Sequence, residues 1–242
     1  MIAQARQEQI RDPFWGGLDV AFMASVALPA LLIAGFLVLG LTMAAPGWRS
    51  LRALQVLAMQ FLFWGIWFAA LYGLFRVRYR RRFWESLAWV RPAGGYGQAV
   101  LLGVLTAVVV IAGALLLRPP QVPMPLVDLL KDPISLVLVG LFAVTLGPAC
   151  EELAFRGFLL PWLARRIKPV PAALATGVFF AVLHGPEYAW SWRHVLLVSV
   201  AGVAFGAVRL HTGSTAAAAV THGAYNLVFF AALLAQSGGR LP

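Results

Sequence analysis

Charge is what this chain has least of. Asp, Glu, Lys and Arg make up 12% of its 242 residues, against 61% hydrophobic residues, whereas soluble domains carry about 25% charged residues. So little polar surface cannot cover a water-soluble globule, and the natural solvent is a bilayer. A mean hydropathy of +0.83 agrees. Cysteine is almost missing: Cys150 is the single one, which excludes an internal disulfide and leaves the redox compartment unread. Residues Met1 to Gly17 carry scattered charge, and the first apolar run outlasts the roughly 7–15 residues of a signal h-region, so no cleavable signal is expected. Low-complexity tracts, a soluble domain and a convincing internal repeat are also missing.

The net charge of +10 invites a nucleic-acid reading. The basic residues instead cluster at the ends of apolar runs, with "RVRYRRR" (Arg76 to Arg82) the densest, where topology and anionic headgroups put them. No nucleic-acid partner is expected.

A spanning helix needs about 20 apolar residues. The candidates are Val20–Ala45, Ala53–Phe75, Gln98–Leu117, a long Ile134–Arg166, a shorter Val170–His184, His194–Leu210 and Ser214–Gln236. The expected fold is all-α, a polytopic transmembrane bundle of about seven spans. Residues 1–133 read as an N-terminal half without motif, 134–236 as a helical core that carries the intramembrane polar residues, and 237–242 as a tail. "APGWR" (Ala45 to Arg49), "RPAGGYG" (Arg91 to Gly97) and "RPPQVPMP" (Arg118 to Pro125) mark breaks, the last because proline removes a donor and clashes with the preceding turn.

With seven crossings and the N-terminus inside, Arg6, Arg11, Arg76, Arg78, Arg80, Arg81, Arg82, Arg91, Arg165, Arg166, Lys168 and Arg209 face inward. Arg49, Arg52, Arg118, Lys131, Arg193 and Arg240 face outward. That bias favours this orientation. The short, Arg- and Ala-rich chain is bacterial in style, so an integral protein of a bacterial cytoplasmic membrane is expected.

Ile134–Arg166 is too long for one straight span, so one helix bent at "GPACEE" is expected, with Pro148 as the cause. The stretch "EELAFRG" (Glu151 to Gly157) then falls at membrane depth, about 25 Å along the helix from Ile134. Glu152 and Arg156 stand at i and i+4, in the better orientation for an ion pair. Glu151 points about 100° away round the helix. Ionisable groups inside a membrane mark function more often than stability.

Two further polar sites interrupt apolar helices: "FAVLH" (Phe180 to His184) and "HGAYN" (His222 to Asn226). Glu151 and His184 lie about equally far from the basic turn "RRIKP" (Arg165 to Pro169), so an antiparallel pair brings them to one depth. His222 and Asn226 share a helix face. The stripe "GVAFG" (Gly202 to Gly206) allows close helix approach. His194 and His211 read as interfacial or core histidines, and Phe155 and Phe180 as packing.

The residue types set the chemistry. A carboxylate with an imidazole can deprotonate water or hold a metal that does so, and an imidazole with an amide can donate to an oxyanion. Amide hydrolysis then needs no Ser or Cys nucleophile. A thiol protease using Cys150, a non-catalytic membrane scaffold and a proton-relaying transporter are the alternatives.

"EELAFRG", "FAVLH" and "HGAYN", in that order and preceded by "TGS" (Thr212 to Ser214), resemble the motifs of the CPBP family, the CAAX- and bacteriocin-processing intramembrane proteases. The resemblance implies that Glu151 and His184 activate water, that His222 and Asn226 stabilise the oxyanion, and that Glu152 and Arg156 support them. It implies a membrane-associated peptide substrate, prenylated CAAX-type or bacteriocin-type. It allows either a divalent metal such as zinc on Glu151, His184 and His222, or a metal-free glutamate mechanism. The H-E-x-x-H helix of soluble zinc proteases is not present.

Overall fold

The computed structural model describes residues 13–123, 129–130 and 132–236. The tail at 237–242, Met124 and Pro125 of the proline-rich break, and the basic residues Arg6, Arg11, Lys131 and Arg240 lie outside them.

All regular structure among the described residues is helical. We label the helices α1 (Gly17–Ala44), α2 (Arg52–Gly73), α3 (Phe83–Ser86), α4 (Gly95–Leu117), α5 (Pro133–Val144), α6 (Leu146–Glu152), α7 (Leu160–Ile167), α8 (Pro169–Leu183), α9 (Trp192–Thr212) and α10 (Thr215–Gln236). Six rods are long and apolar enough to cross a membrane: α1, α2 with its extension to Arg78, α4, the composite Pro133–Ile167, α9 and α10. The seventh expected span, α8, is apolar but only 15 residues long. Large apolar side chains such as Leu18, Phe36, Leu116 and Ile134 point outward, the surface a bilayer solvates.

The composite rod carries the expected bend, at Thr145 rather than within the residues after it. Pro148 has no N–H for the carbonyl four residues back, and its ring crowds that carbonyl. The ladder therefore opens at Val144 and Thr145, where φ is −127° and ψ −79°. The carbonyls left over at the end of α5 find other partners. Leu141 accepts the Thr145 hydroxyl at 2.5 Å, Phe142 the Thr145 N–H at 3.3 Å, and Ala143 the Asn226 amide at 2.7 Å. The Val144 carbonyl lies against Gly223, where any Cβ would overlap it. Past Glu152 the rod widens into a π-helical stretch, Leu153–Leu159, a feature that collects at functional sites.

The first half of the chain braces this rod. Trp15 stacks on Phe158 and donates its indole N–H to the Phe158 carbonyl at 3.1 Å. Asp19 caps α1 through the Gly16 N–H at 2.7 Å and accepts the Tyr79 hydroxyl at 2.6 Å, tying both ends of the first hairpin together. The segment after α3 runs beneath the α9–α10 turn. There the Thr215 N–H and hydroxyl donate to the Ala88 and Leu87 carbonyls at 3.0 and 2.6 Å, and the Ser214 hydroxyl donates to Val90. Glycines seat the helices closely. A Cβ on Gly202 of α9 would stand 2.8 Å from the Gly177 oxygen of α8, and one on Gly103 of α4 would overlap the Thr221 carbonyl of α10.

Candidate active site

Glu152 is the hub. It is wholly buried, and its Oε1 accepts Arg156 Nη1 at 2.9 Å and His222 Nδ1 at 3.0 Å. The expected i, i+4 pair therefore forms, although the π stretch begins between its two members. Arg156 is equally buried and spends its other terminal nitrogen on the Gly202 carbonyl at 2.5 Å. Its guanidinium stands over the rings of Phe155, Phe180 and Phe205 at 5.0–5.7 Å, where ring quadrupoles attract a cation. One carboxylate thus joins the composite rod to α10, and one guanidinium joins it to α9.

Glu151 stands apart, as its 100° offset requires. Its side chain is 27% exposed, and Oε2 lies 3.9 Å from His222 Nδ1, too far for a hydrogen bond. Its oxygens remain open towards the imidazole without being consumed by it.

His184 ends α8. Its Nδ1–H donates to the Phe180 carbonyl at 2.8 Å; a carbonyl only accepts, so the neutral ring carries its lone pair on Nε2. Phe180 stands between the two imidazoles, with ring centroids 4.3 Å from His184 and 5.7 Å from His222. Phe155 meets Phe180 edge-on at 5.2 Å. Those phenylalanines lie one turn from Glu151 and His184 respectively, so the hairpin holds the equal-depth register. The spacing F-x-x-x-H acquires a cause: one residue's carbonyl orients the imidazole while its ring walls the site.

Asn226, one turn beyond His222, donates one amide N–H to Ala143 across the α5 break. Its other N–H is the only one left for a ligand. His222 itself lies flat against Phe205, 4.4 Å away. "TGS" sets the start of this helix: Gly213 adopts φ +66°, and the Ser214 hydroxyl accepts the Ala217 N–H at 3.0 Å. His194 stacks on Tyr188 at 4.9 Å and His211 is exposed, both away from the hub.

Three participants escape a reading of the sequence. The Gly202 carbonyl and the Phe205 ring belong to a stripe legible only as close packing. Glu187, on the turn Gly185–Tyr188 after α8, is the third. Burial holds its carboxyl above the ordinary carboxylate range, against the pull of His184 and with the push of Glu151. Its signal was a lone carboxylate three residues after His184.

Among the described residues, no three His, Cys, Asp or Glu side chains are grouped to hold a metal ion. Glu151, His184 and His222 do not gather as a ligand set. Cys150 is half-buried beside Glu151.

Residues 133–228 match the family described as type II CAAX prenyl endopeptidase Rce1-like. No curated protein and no solved structure matches the chain. The matched segment runs from the first residue of α5 to just past Asn226, and so contains the hub, both imidazoles and the walls between them. Through residues 133–228 the chain carries an Rce1-like domain of the type II CAAX prenyl endopeptidase (CPBP) family.

Proposed function

We propose that the protein is an intramembrane endopeptidase that hydrolyses a peptide bond in a membrane-associated peptide, prenylated CAAX-type or bacteriocin-type. The observation that carries this reading is the division of labour between adjacent acids. Oε1 of Glu152 is shared by Arg156 and His222 deep in the core, while Glu151 keeps its oxygens open and partly exposed beside the same imidazole.

Glu151 is the base. It removes a proton from water held between it and Nε2 of His184, and the water oxygen attacks the peptide carbonyl carbon. Negative charge then develops on the carbonyl oxygen. Protonated His222 keeps its Nδ1–H on Glu152 and offers its Nε2–H to that oxyanion. The second N–H of Asn226 is the other donor. Preorganised donors in a water-poor site stabilise such charge far better than water does. As the tetrahedral carbon collapses, the C–N bond breaks and the proton on Glu151 passes to the departing nitrogen. A carboxylic acid and an amine result, and the acid's proton passes to the amine or to water. Glu152 and Arg156 position His222 without touching the reacting atoms.

The test is cleavage of an anchored peptide by the full chain reconstituted in vesicles. Glu151→Gln and His184→Ala should each lower kcat/KM by at least a thousandfold. No cleavage by wild type would reduce the protein to a scaffold, and cleavage surviving both substitutions would remove Glu151 and His184 from the chemistry.

A further inference from the structure

The arginines that follow α2 are all exposed, and three of them have no counter-charge inside the protein. Arg82 pairs with Glu85 at 2.9 Å, and Arg78 lies 3.8 Å from Asp19. Arg76, Arg80 and Arg81 are exposed and have no acidic partner among the described residues. Arg81 stands only over the Phe14 ring, at 5.8 Å. Arg80 adopts φ +54°, a left-handed conformation that glycine or asparagine would take more readily. An arginine there answers to something other than the turn.

Apolar groups are exposed among these charges. Val77 is 83% exposed and Trp84 55%. The apolar rod that begins at Arg52 ends at Arg78, so the segment emerges where a membrane surface would lie. Free guanidiniums beside an exposed valine and tryptophan at that depth fit a phospholipid with a negative headgroup. The cations meet its phosphate, and the apolar pair reaches the boundary of its acyl chains.

One short turn ties this segment to the candidate site. The Ser86 and Leu87 N–H groups donate back to the Arg82 and Phe83 carbonyls at 3.0 and 3.1 Å, which fixes Leu87 relative to the arginines. Leu87 is wholly buried. Its carbonyl accepts the Thr215 hydroxyl at the start of α10. It also packs on Gly157 of the composite rod, where a Cβ would stand 3.2 Å from the Leu87 Cβ. Leu87 therefore touches both elements that carry the hub.

We propose that an anionic phospholipid docks on Arg76, Arg80 and Arg81 and holds residues 87–90 against the start of α10. Lipid of that charge thereby steadies the helix bearing His222. Only the effect on cleavage rests on the peptidase reading; docking and its hold on α10 do not.

The first test titrates full-length protein in nonionic micelles with fluorescent phosphatidylglycerol and phosphatidylcholine of equal chain length. Each basic residue near an anionic headgroup favours binding by about a factor of five, so wild type should prefer phosphatidylglycerol at least tenfold. Joint Arg76→Gln, Arg80→Gln and Arg81→Gln should erase the preference, whereas joint Arg166→Gln and Lys168→Gln should keep it. Equal binding of both lipids by wild type overturns the proposal. A preference that survives the triple variant, or is lost in the control pair, overturns it too. The second test reads α10 by hydrogen exchange. The Thr215 N–H donates to the Ala88 carbonyl at 3.0 Å, so phosphatidylglycerol should slow exchange of that amide at least fivefold in wild type and leave the triple variant unchanged. Lipid binding without this protection sinks the proposal. Third, cleavage of an uncharged anchored peptide should rise at least threefold from phosphatidylcholine vesicles to vesicles of equal parts phosphatidylglycerol, and the triple variant should lose the rise. Wild-type cleavage indifferent to phosphatidylglycerol overturns the proposal and leaves the peptidase reading standing. An equal rise with inorganic phosphate alone assigns the arginines to a free anion and overturns it. Cleavage in no vesicle removes the peptidase reading, and the binding and exchange measurements then decide the proposal by themselves.

Discussion

In the proposed mechanism two neighbouring glutamates have opposite jobs, and each substitution should report on one of them. Glu151→Gln removes a base but no buried bond, so activity should vanish while thermal unfolding of the purified protein in micelles stays at the wild-type temperature. Glu152→Gln strips the counter-charge from a guanidinium that has no exposed surface. Leaving one member of a buried pair alone costs about 3–5 kcal/mol, so this variant should unfold at a clearly lower temperature and lose activity as well. Cys150→Ser should cleave at close to the wild-type rate. Loss of cleavage there, with Glu151→Gln still active, would hand the chemistry to the thiol.

At the scale of helices, the break in the composite rod and the glycine of α10 are two halves of one joint. Gly223→Ala would drive a methyl group into the Val144 carbonyl. Overpacking costs about 1–3 kcal/mol, and here it displaces the residue next to His222. A fall in kcat/KM should therefore exceed what the loss of stability accounts for, as activity measured well below the unfolding temperature will reveal. The region of this joint is legible in the sequence because proline cannot continue the ladder. The place of the break, three residues ahead of Pro148, is less so: it depends on which freed carbonyls Thr145, Asn226 and Gly223 can serve. The pair Glu152–Arg156 is legible because helical spacing alone brings the two together. The link from Glu152 to His222 is not, since it joins residues 70 apart and depends on how deeply α10 is set. Asn226 likewise reads as a catalytic amide, while half of its donor capacity serves as a cap for α5.

For the molecule as a whole, the outward leucines and the six long apolar rods mark an integral membrane protein. In the orientation expected from the basic residues, the Arg165–Lys168 turn faces inside and the Trp190–Arg193 turn outside. In a Cys150→Ser background, Ile167→Cys should react with an impermeant maleimide only in inverted vesicles, and Trp190→Cys only in right-side-out cells. The reverse pattern would invert the orientation. Six of the seven expected spans are legible from hydropathy because they are long; the seventh, α8, is a shorter apolar helix. The brevity of α8 matters more than the count, because the helix ends at His184 and the turn bearing Glu187 follows at once.

The α9–α10 turn leans on backbone carbonyls of residues 87, 88 and 90, which lie well outside the matched segment. A fragment beginning at Pro133 would leave two hydroxyls and an amide without these partners at the foot of the helix that bears His222. Grafting the motif-bearing half onto another membrane anchor should therefore fail unless that loop is transplanted with it. The motif-free half is a foundation rather than a leader.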